Sequence, residues 1–331
     1  MSGTAGVRFG VKWAVAAVAV LLAVLIPSVI QLLGIPTYWL HVIIIAYFYA
    51  LLSSSWALLA GYAGQFSFAH MAFMAIGGYT SGLLGKYLGL PPLAGIVLGI
   101  LVAGLAGWAI GALVLRFRAA YLALFTIAFS EILRTLIRGE ADITRGDQGL
   151  HVAPLFGETI SRVPYYYTML AILLISLALM YWLASSRVGL FLRAIREDEE
   201  AAAARGVDVV RYKILAFVVT GMMAGLAGTF FAHYVTILTP NIMVVPQMGL
   251  VIAMAIIGGV ESLIAAAIGA VIIHVSLEVL REFGAWRLVI FGALLVLTLR
   301  FARNGLIAPV FDRFLGLGPK AEARVTEEAP A

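Results

Sequence analysis

Apolar residues fill this chain in blocks of roughly twenty, separated by short polar joints. Within blocks such as 15–26 and 172–183, polar and apolar positions do not alternate. Alternation over about ten residues is the mark of a membrane-spanning barrel strand, so its absence points to helices. About 20 apolar residues suffice for a helix to cross about 30 Å of hydrocarbon. A backbone in lipid must also satisfy its hydrogen bonds internally, which a helix does. The pattern predicts helices at 12–33, 38–59, 69–88, 92–115, 119–137, 164–184 and 213–236. The apolar stretch 247–276 is too long for one span, and GGVES at 258–262 divides it. Helices at 247–258, 262–280 and 287–301 complete an all-α polytopic chain of ten predicted crossings.

Composition agrees. Of 331 residues 63% are hydrophobic and only 12% charged, against about 25% charged in a soluble domain. The surplus of 22 Lys and Arg over 17 Asp and Glu gives a net charge of +5. In a membrane chain this reflects retention of basic loops on the cytoplasmic side rather than affinity for nucleic acid. Basic residues cluster at the N-terminus (Arg8, Lys12), after the fourth helix (Arg116, Arg118), in 187–213, and in the C-terminal tail (Arg300, Arg303, Arg313, Lys320, Arg324). An even number of crossings puts all four clusters on one side, so both termini are expected in the cytoplasm. The loop 138–163 then lies outside, where Glu140, Asp142, Asp147 and Glu158 balance its arginines. The first apolar run passes Pro27 without a small-x-small cleavage pattern and reads as a retained helix. Residues 1–318 form one transmembrane domain, and 319–331 a disordered cytoplasmic tail.

Enzyme signatures are missing. The five histidines are scattered without metal-ligand spacing, and Gly85-Lys86 runs into Tyr87 instead of a phosphate-binding loop. There is no cysteine to hold a disulfide, a thiolate metal site or an iron–sulfur cluster. Charges within or beside the predicted spans (Glu131, Arg134, Glu261, Glu278) lie towards helix ends. Ion coupling usually leaves a helix-centre pair, so this placement disfavours an ion-coupled secondary transporter of small solutes, which stands as the alternative reading.

Small residues four apart, Gly95/Gly99, Gly107/Gly111 and Gly221/Gly225, mark close helix crossings. Tyr38, Trp39 and Tyr165–Tyr167 are expected at the outer interface and Trp182 at the inner one. GYAGQFSFAH at 61–70 echoes GLAGTFFAH at 225–233, compatible with an inverted five-plus-five repeat and equally with chance among Gly/Ala-rich helices. In the former segment Gly61, Gly64, Gln65, Ser67 and His70 interrupt an apolar region. Two readings stand side by side: a broken helix lining a solute path, or a polar turn followed by glycine packing.

The sharpest interruption is RAIREDEEAAAARGVD at 193–208. Its charges belong in the cytoplasm, and their order suits a short capped helix. Acids 197–200 stand at the positive end and Arg205 at the negative one. Alanines 201–204 favour helix, and Gly206 suits the left-handed position after its end. Arg193/Glu197 and Arg196/Glu200 stand at pairing distance in a continuous helix. So short a helix needs a docking surface to be stable.

Glu200-Ala201-Ala202 followed by Gly206 resembles the coupling motif of ABC-importer permeases. Its flanks, with GYAGQFSFAHMAFMAIGGYT (61–80), YLALFTIAFSEILR (121–134), TRGDQGL (144–150) and AIIGGVES (255–262), resemble branched-chain amino-acid permeases of the LivM type. Glu261 departs from the small residue usual there, and Ala119-Ala120 from an expected glycine. The resemblance implies a multi-pass subunit of a bacterial or archaeal inner-membrane importer. Its partners would be a second, related permease, two cytoplasmic ATPases that hold ATP and Mg, and a periplasmic or tethered solute-binding protein. The chain itself would hold no cofactor. Coupling to the ATPase would fall to Arg193, Arg196, Glu197, Asp198, Glu200, Ala201, Ala202 and Gly206, within the loop 185–212. The solute path would involve Gly61, Gly64, Gln65, Ser67 and His70. Contact with the binding protein would involve Thr144, Gly146, Asp147 and Gly149. Permeases for urea or amides share the same pattern.

Overall fold

The computed structural model describes residues 3–114, 119–157, 161–284, 286–302 and 305–309. Arg116, Arg118, Glu158, Arg303, Arg313, Lys320, Arg324 and the tail 319–331 lie outside the described residues.

Helices occupy every segment that the apolar pattern marks. α1 is Gly3–Leu32, and α2 is Tyr38–Ala57, continued by a π-helical turn at Leu58–Tyr62. α3 is His70–Leu88, α4 Pro92–Val114 and α5 Ala119–Gly139. A single turn, α6, follows at Ala141–Thr144, then α7 at Val163–Ser185. α8 is Arg187–Glu197, α9 Glu199–Ala204 and α10 Val209–Val235. α11 (Val245–Gly258), α12 (Leu263–Val279) and α13 (Trp286–Phe301) end the series. The strands β1 (Leu150–His151) and β2 (Ile237–Leu238) pair antiparallel, Leu150 opposite Leu238.

Among the described residues five helices are long and apolar enough to cross a membrane: Tyr38–Tyr62, Pro92–Leu113, Val163–Ser185, Val209–Val235 and Leu263–Phe283. Ala17–Leu32 and Val245–Gly258 are apolar but shorter. The outward faces suit lipid. On α4 Leu93, Val97, Leu101 and Leu105 follow at four-residue intervals, all exposed.

α2 and α10 form the centre. α10 packs on α3 and α4, while α2 packs on α7, α11 and α12. Small residues set the first contact. A Cβ on Gly107 would stand 2.4 Å from the Phe217 carbonyl, one on Gly221 2.9 Å from that of Ala103, and one on Gly99 2.6 Å from that of Gly77. The expected glycine pairs therefore lie on one crossing of three helices, where contact area replaces the hydrophobic drive that lipid removes. Buried serines join the second group: Ser53 donates to the Val251 carbonyl (3.2 Å) and Ser54 to that of Leu263 (3.0 Å).

Three expectations change. Of the triplet Tyr165–Tyr167 only Tyr167 is exposed, while Tyr165 and Tyr166 are buried against neighbouring helices. Pro27 has no N–H for the Ala23 carbonyl one turn before it, and Tyr166 donates to that carbonyl instead (2.5 Å). The echo segments also differ in conformation. Residues 63–69 break the helix, whereas Gly225–His233 lies inside continuous α10. Finally, 185–212 is mainly helical, with α8 and α9 distinct.

Candidate functional site

Three conspicuous sequence segments meet at one end of the bundle. The first begins where α2 loosens into its π-helical turn and the chain runs non-helically through 63–69 before α3. Exposed polar backbone inside a membrane protein is costly unless it is paired, and here neighbouring helices supply the partners. Trp56 Nε1 donates to the Ser67 carbonyl (2.8 Å). Thr126 Oγ1 accepts from the Phe68 N–H (2.9 Å), and Ser130 Oγ donates to the Phe68 carbonyl (3.3 Å). Ser67 Oγ accepts from the Ala69 N–H (3.1 Å). Gln65, half-buried, bonds back to the Ala63 carbonyl (3.1 Å). The break is thus built in, and α5 holds it through Thr126 and Ser130. Ser67 and His70 are fully buried, His70 beside Phe73 and the Ser55 backbone.

The second segment is the turn 258–262. Gly259 takes φ 128, and Ser262 caps α12 by accepting from the Ala265 N–H (3.3 Å). This turn lies directly on the first segment: a Cβ on Gly61 would stand 2.1 Å from the Val260 carbonyl oxygen.

The third segment is 186–208. Ser186 caps α8 through the Val188 N–H (3.2 Å), and Gly189, Leu192 and Ile195 turn inward. The helix stops at Asp198, whose backbone is extended (φ −155, ψ 109) and whose Oδ1 accepts from the Ala201 N–H (2.9 Å). Asp198 thereby starts α9 as a separate helix. α9 ends with the Val207 N–H on the Ala202 carbonyl (3.1 Å) and the Gly206 N–H on that of Ala203 (2.9 Å). With Gly206 at φ +83, this is the glycine-terminated Schellman arrangement. Asp208 Oδ1 then caps α10 through the Arg211 N–H (3.0 Å).

The capped helix therefore exists but is shorter than expected. Arg193 and Arg196 belong to α8, so the anticipated Arg196/Glu200 pair is replaced by other bonds. Ala202 alone of α9 is buried, leaving Glu200, Ala201, Ala203 and Ala204 exposed. Glu199 anchors α9 to α10 through Lys213, a cation only 7% exposed (2.5 Å).

Arg196 joins the three segments. Its Nη1 donates to the Gly61 carbonyl and to Glu261 Oε1 (3.0 Å), while Nη2 reaches Glu197 Oε1 (2.6 Å). Gly64, at φ +67, lies against its stem, where a Cβ would come within 3.0 Å. Partial burial works against the charge, but the hydrogen bond Arg196 donates to Glu197 and the charge of Glu261 outweigh it and hold the guanidinium above its ordinary pKa. One turn earlier, the Arg193 guanidinium lies 4.7 Å over the Tyr62 ring. Sequence reasoning missed Tyr62, Glu199 and Lys213, and noted Glu261 only as an oddity. Its placement in a glycine turn was the available signal.

The loop at the opposite end is braced internally. Thr144 is buried and donates to the Ile137 and Glu140 carbonyls (2.5 and 2.8 Å). Gly146 packs on the Arg138 carbonyl and Gly149 on Ile237 of β2. Asp147 is exposed and paired with Arg138 (2.9 Å), which also reaches Asn241 (3.1 Å). His233 Nδ1 donates to the Ala153 carbonyl (2.6 Å), so its Nε2 accepts from Ser81 (2.7 Å). Thr144, Gly146 and Gly149 thus shape the loop, and Arg145, Asp147 and Gln148 form its exposed tip.

Residues 38–299 match the family described as branched-chain amino acid transport system / permease component. The high-affinity branched-chain amino acid transport system permease protein LivM of Salmonella typhimurium is 32% identical over 286 residues, 78% of this chain and 67% of that protein. LivM of Escherichia coli is 30% identical over the same shares. The permease protein LivH of Salmonella typhimurium is 25% identical over 284 residues, covering 78% of this chain and 91% of its own. No solved structure matches the chain significantly.

Proposed function

We propose, from the premise that this chain belongs to the family of branched-chain amino acid transport permease components, that it forms half of the translocation path of an ATP-driven importer. It is a multi-pass membrane transport subunit and not an enzyme. Its solute is a branched-chain or chemically related amino acid, the class named for the LivM and LivH relatives. A related permease completes the path, and two cytoplasmic ATPases bind and hydrolyse Mg-ATP. A periplasmic or tethered receptor delivers the solute to the loop 138–163, whose exposed tip is Arg145, Asp147 and Gln148.

In this reading the chain crosses the inner membrane ten times with both termini in the cytoplasm, as the distribution of basic residues supports. The end that holds α9 is then cytoplasmic, and the exposed Glu200 and alanines of α9 dock on an ATPase. The observation that carries the mechanism is the bonding of Arg196. When the ATPases close on ATP, they displace α9. Lys213 passes the displacement to α10, and α8 passes it through Arg196 to the broken segment at Gly61 and the turn at Glu261. Both lie at helix ends, where a helix pair can swing without breaking its own hydrogen bonds.

The test is uptake of radiolabelled L-leucine by proteoliposomes containing the complete complex with receptor. Uptake is expected to require ATP and all subunits, and to stop with vanadate. Uptake that persists on a proton or sodium gradient without the ATPases would overturn the proposal in favour of secondary transport.

A further inference from the structure

Polar side chains from four helices gather at the end of the bundle opposite α9. Tyr38, His41, Ile45 and Tyr49 lie three or four residues apart on one face of α2 and are at most partly buried. His274, Glu278 and Arg281 repeat that spacing along α12 and the turn beyond it. The two faces meet. Tyr38 donates its hydroxyl hydrogen to Glu278 Oε1, and Arg281 Nη1 reaches the Tyr38 oxygen (2.8 Å) and Glu278 Oε1 (3.1 Å). Further along α2 the Tyr49 ring lies 5.1 Å from that of His274, and its hydroxyl donates to Gln247 of α11 (3.1 Å). His41 Nδ1 shares a hydrogen bond with Tyr234 of α10 (2.7 Å). A cleft of about 460 Å³ opens beside this cluster, lined by Tyr38, Trp39, Glu278, Val279, Arg281 and Glu282.

Ionisable groups within membrane helices are costly, and they are retained where they line a wet, functional cavity. Here a carboxylate and a guanidinium stand side by side, each with an edge that makes no hydrogen bond among the described residues. Both hydrogen bonds to Glu278 fall on Oε1, which leaves Oε2 for another donor. The bonds of Arg281 run through Nη1, which leaves its Nε–Nη2 edge, on a side chain 63% exposed, to grip a planar anion. Tyr38, Trp39 and Val279 add aromatic and aliphatic surface within the same cleft.

We propose that this cleft is a low-affinity landing site for a zwitterion. Glu278 takes its ammonium group, Arg281 takes its carboxylate, and the Tyr38–Trp39–Val279 surface meets its apolar side chain. The site deepens the proposed function and rests on it, since the solute released by the receptor would be a free amino acid. His41 and Tyr49 of α2, His274 of α12 and Gln247 of α11 lie deeper in the bundle than this cleft. A paired ammonium and anion is also the chemistry of an ethanolamine phospholipid headgroup, and the test separates the two.

In the reconstituted complex with saturating receptor, Glu278→Gln and Arg281→Gln are each expected to lower L-leucine uptake per ATP hydrolysed about tenfold, the effect of one lost charge-assisted hydrogen bond. ATP hydrolysis itself should stay within about twofold of wild type. The double variant Glu278→Arg/Arg281→Glu restores an ion pair with its poles exchanged. If the pair served only to hold α12 in place, this exchange would rescue uptake and overturn the proposal, whereas a zwitterion site stays defective. Unchanged uptake in both single variants would also overturn it, as would loss of assembled complex that the exchange repairs. Replacing phosphatidylethanolamine by phosphatidylglycerol should leave wild-type uptake unchanged. A fall that matches the single variants assigns the site to lipid and overturns the amino-acid reading. Failure of the proposed function itself would look different: the wild-type complex would import no leucine at all.

Discussion

At the scale of single residues, Arg196 carries the most. Among the described residues it is the one side chain whose hydrogen bonds join α8, the broken helix and the glycine turn. A hydrogen bond from a charged group to a buried carbonyl contributes about 1.5–3 kcal/mol, and Gly61 provides that carbonyl in a buried setting. Arg196→Ala is therefore expected to cut uptake by about tenfold or more, while the complex still assembles and hydrolyses ATP. Arg196→Lys should rescue little, because one ammonium cannot span Gly61, Glu197 and Glu261 in a fixed plane. Uptake and ATP hydrolysis measured on the same vesicles decide this, and a proportional loss of both would mean that Arg196 only supports folding. Glu261, the acid of the glycine turn, is held there by this bond.

At the scale of elements, α9 is a helix of six residues, below the length at which a helix is stable alone. What holds it is local: the Asp198 cap, the Gly206 termination and the Glu199–Lys213 pair. Its exposed face is free to interact. Glu200→Lys changes that face without touching any of the three supports, so the fold should stand while uptake falls relative to ATP hydrolysis. Gly206→Pro removes the N–H that bonds Ala203 and forces a negative φ on a residue at +83. It should unravel the end of α9 and uncouple more severely. Limited proteolysis near residue 205 is expected to accelerate in the Pro variant and not in the Lys variant. Equal, wild-type uptake in both would remove α9 from the coupling mechanism.

At the scale of the whole molecule, small residues bring α3, α4 and α10 within backbone contact, while α2 is gripped by α7, α11 and α12. The segments joined by Arg196 sit at one end of this assembly, and the braced loop and the zwitterion cleft at the other. The cysteine-free sequence makes the proposed orientation simple to test. Ala203→Cys and Gln148→Cys occupy exposed positions at opposite ends. In vesicles stripped of the ATPases, an impermeant maleimide should label the first only when they are inside-out and the second only when they are right-side-out. Labelling of both from the same side would reject the proposed topology.

The sequence by itself determined that the chain is all-helical, where its helices lie, and to which family it belongs. Those properties follow from local facts: apolar run length, cap residues, glycine spacing and short motifs. Gly206 was legible because its left-handed position follows from the alanine helix before it. The glycine pairs were legible because spacing alone puts them on one helical face. The tertiary structure decided what these features touch. That Arg196 leaves Glu200 for Gly61 and Glu261, or that Tyr166 serves a carbonyl freed by Pro27, depends on partners 65 to 143 positions away. Likewise His41, His274 and Glu278 look scattered along the chain and become a cluster only once α2 and α12 are packed. In lipid, apolar pattern places a residue within a helix, but which neighbour meets its polar group is set by close packing between helices, and no local pattern records that.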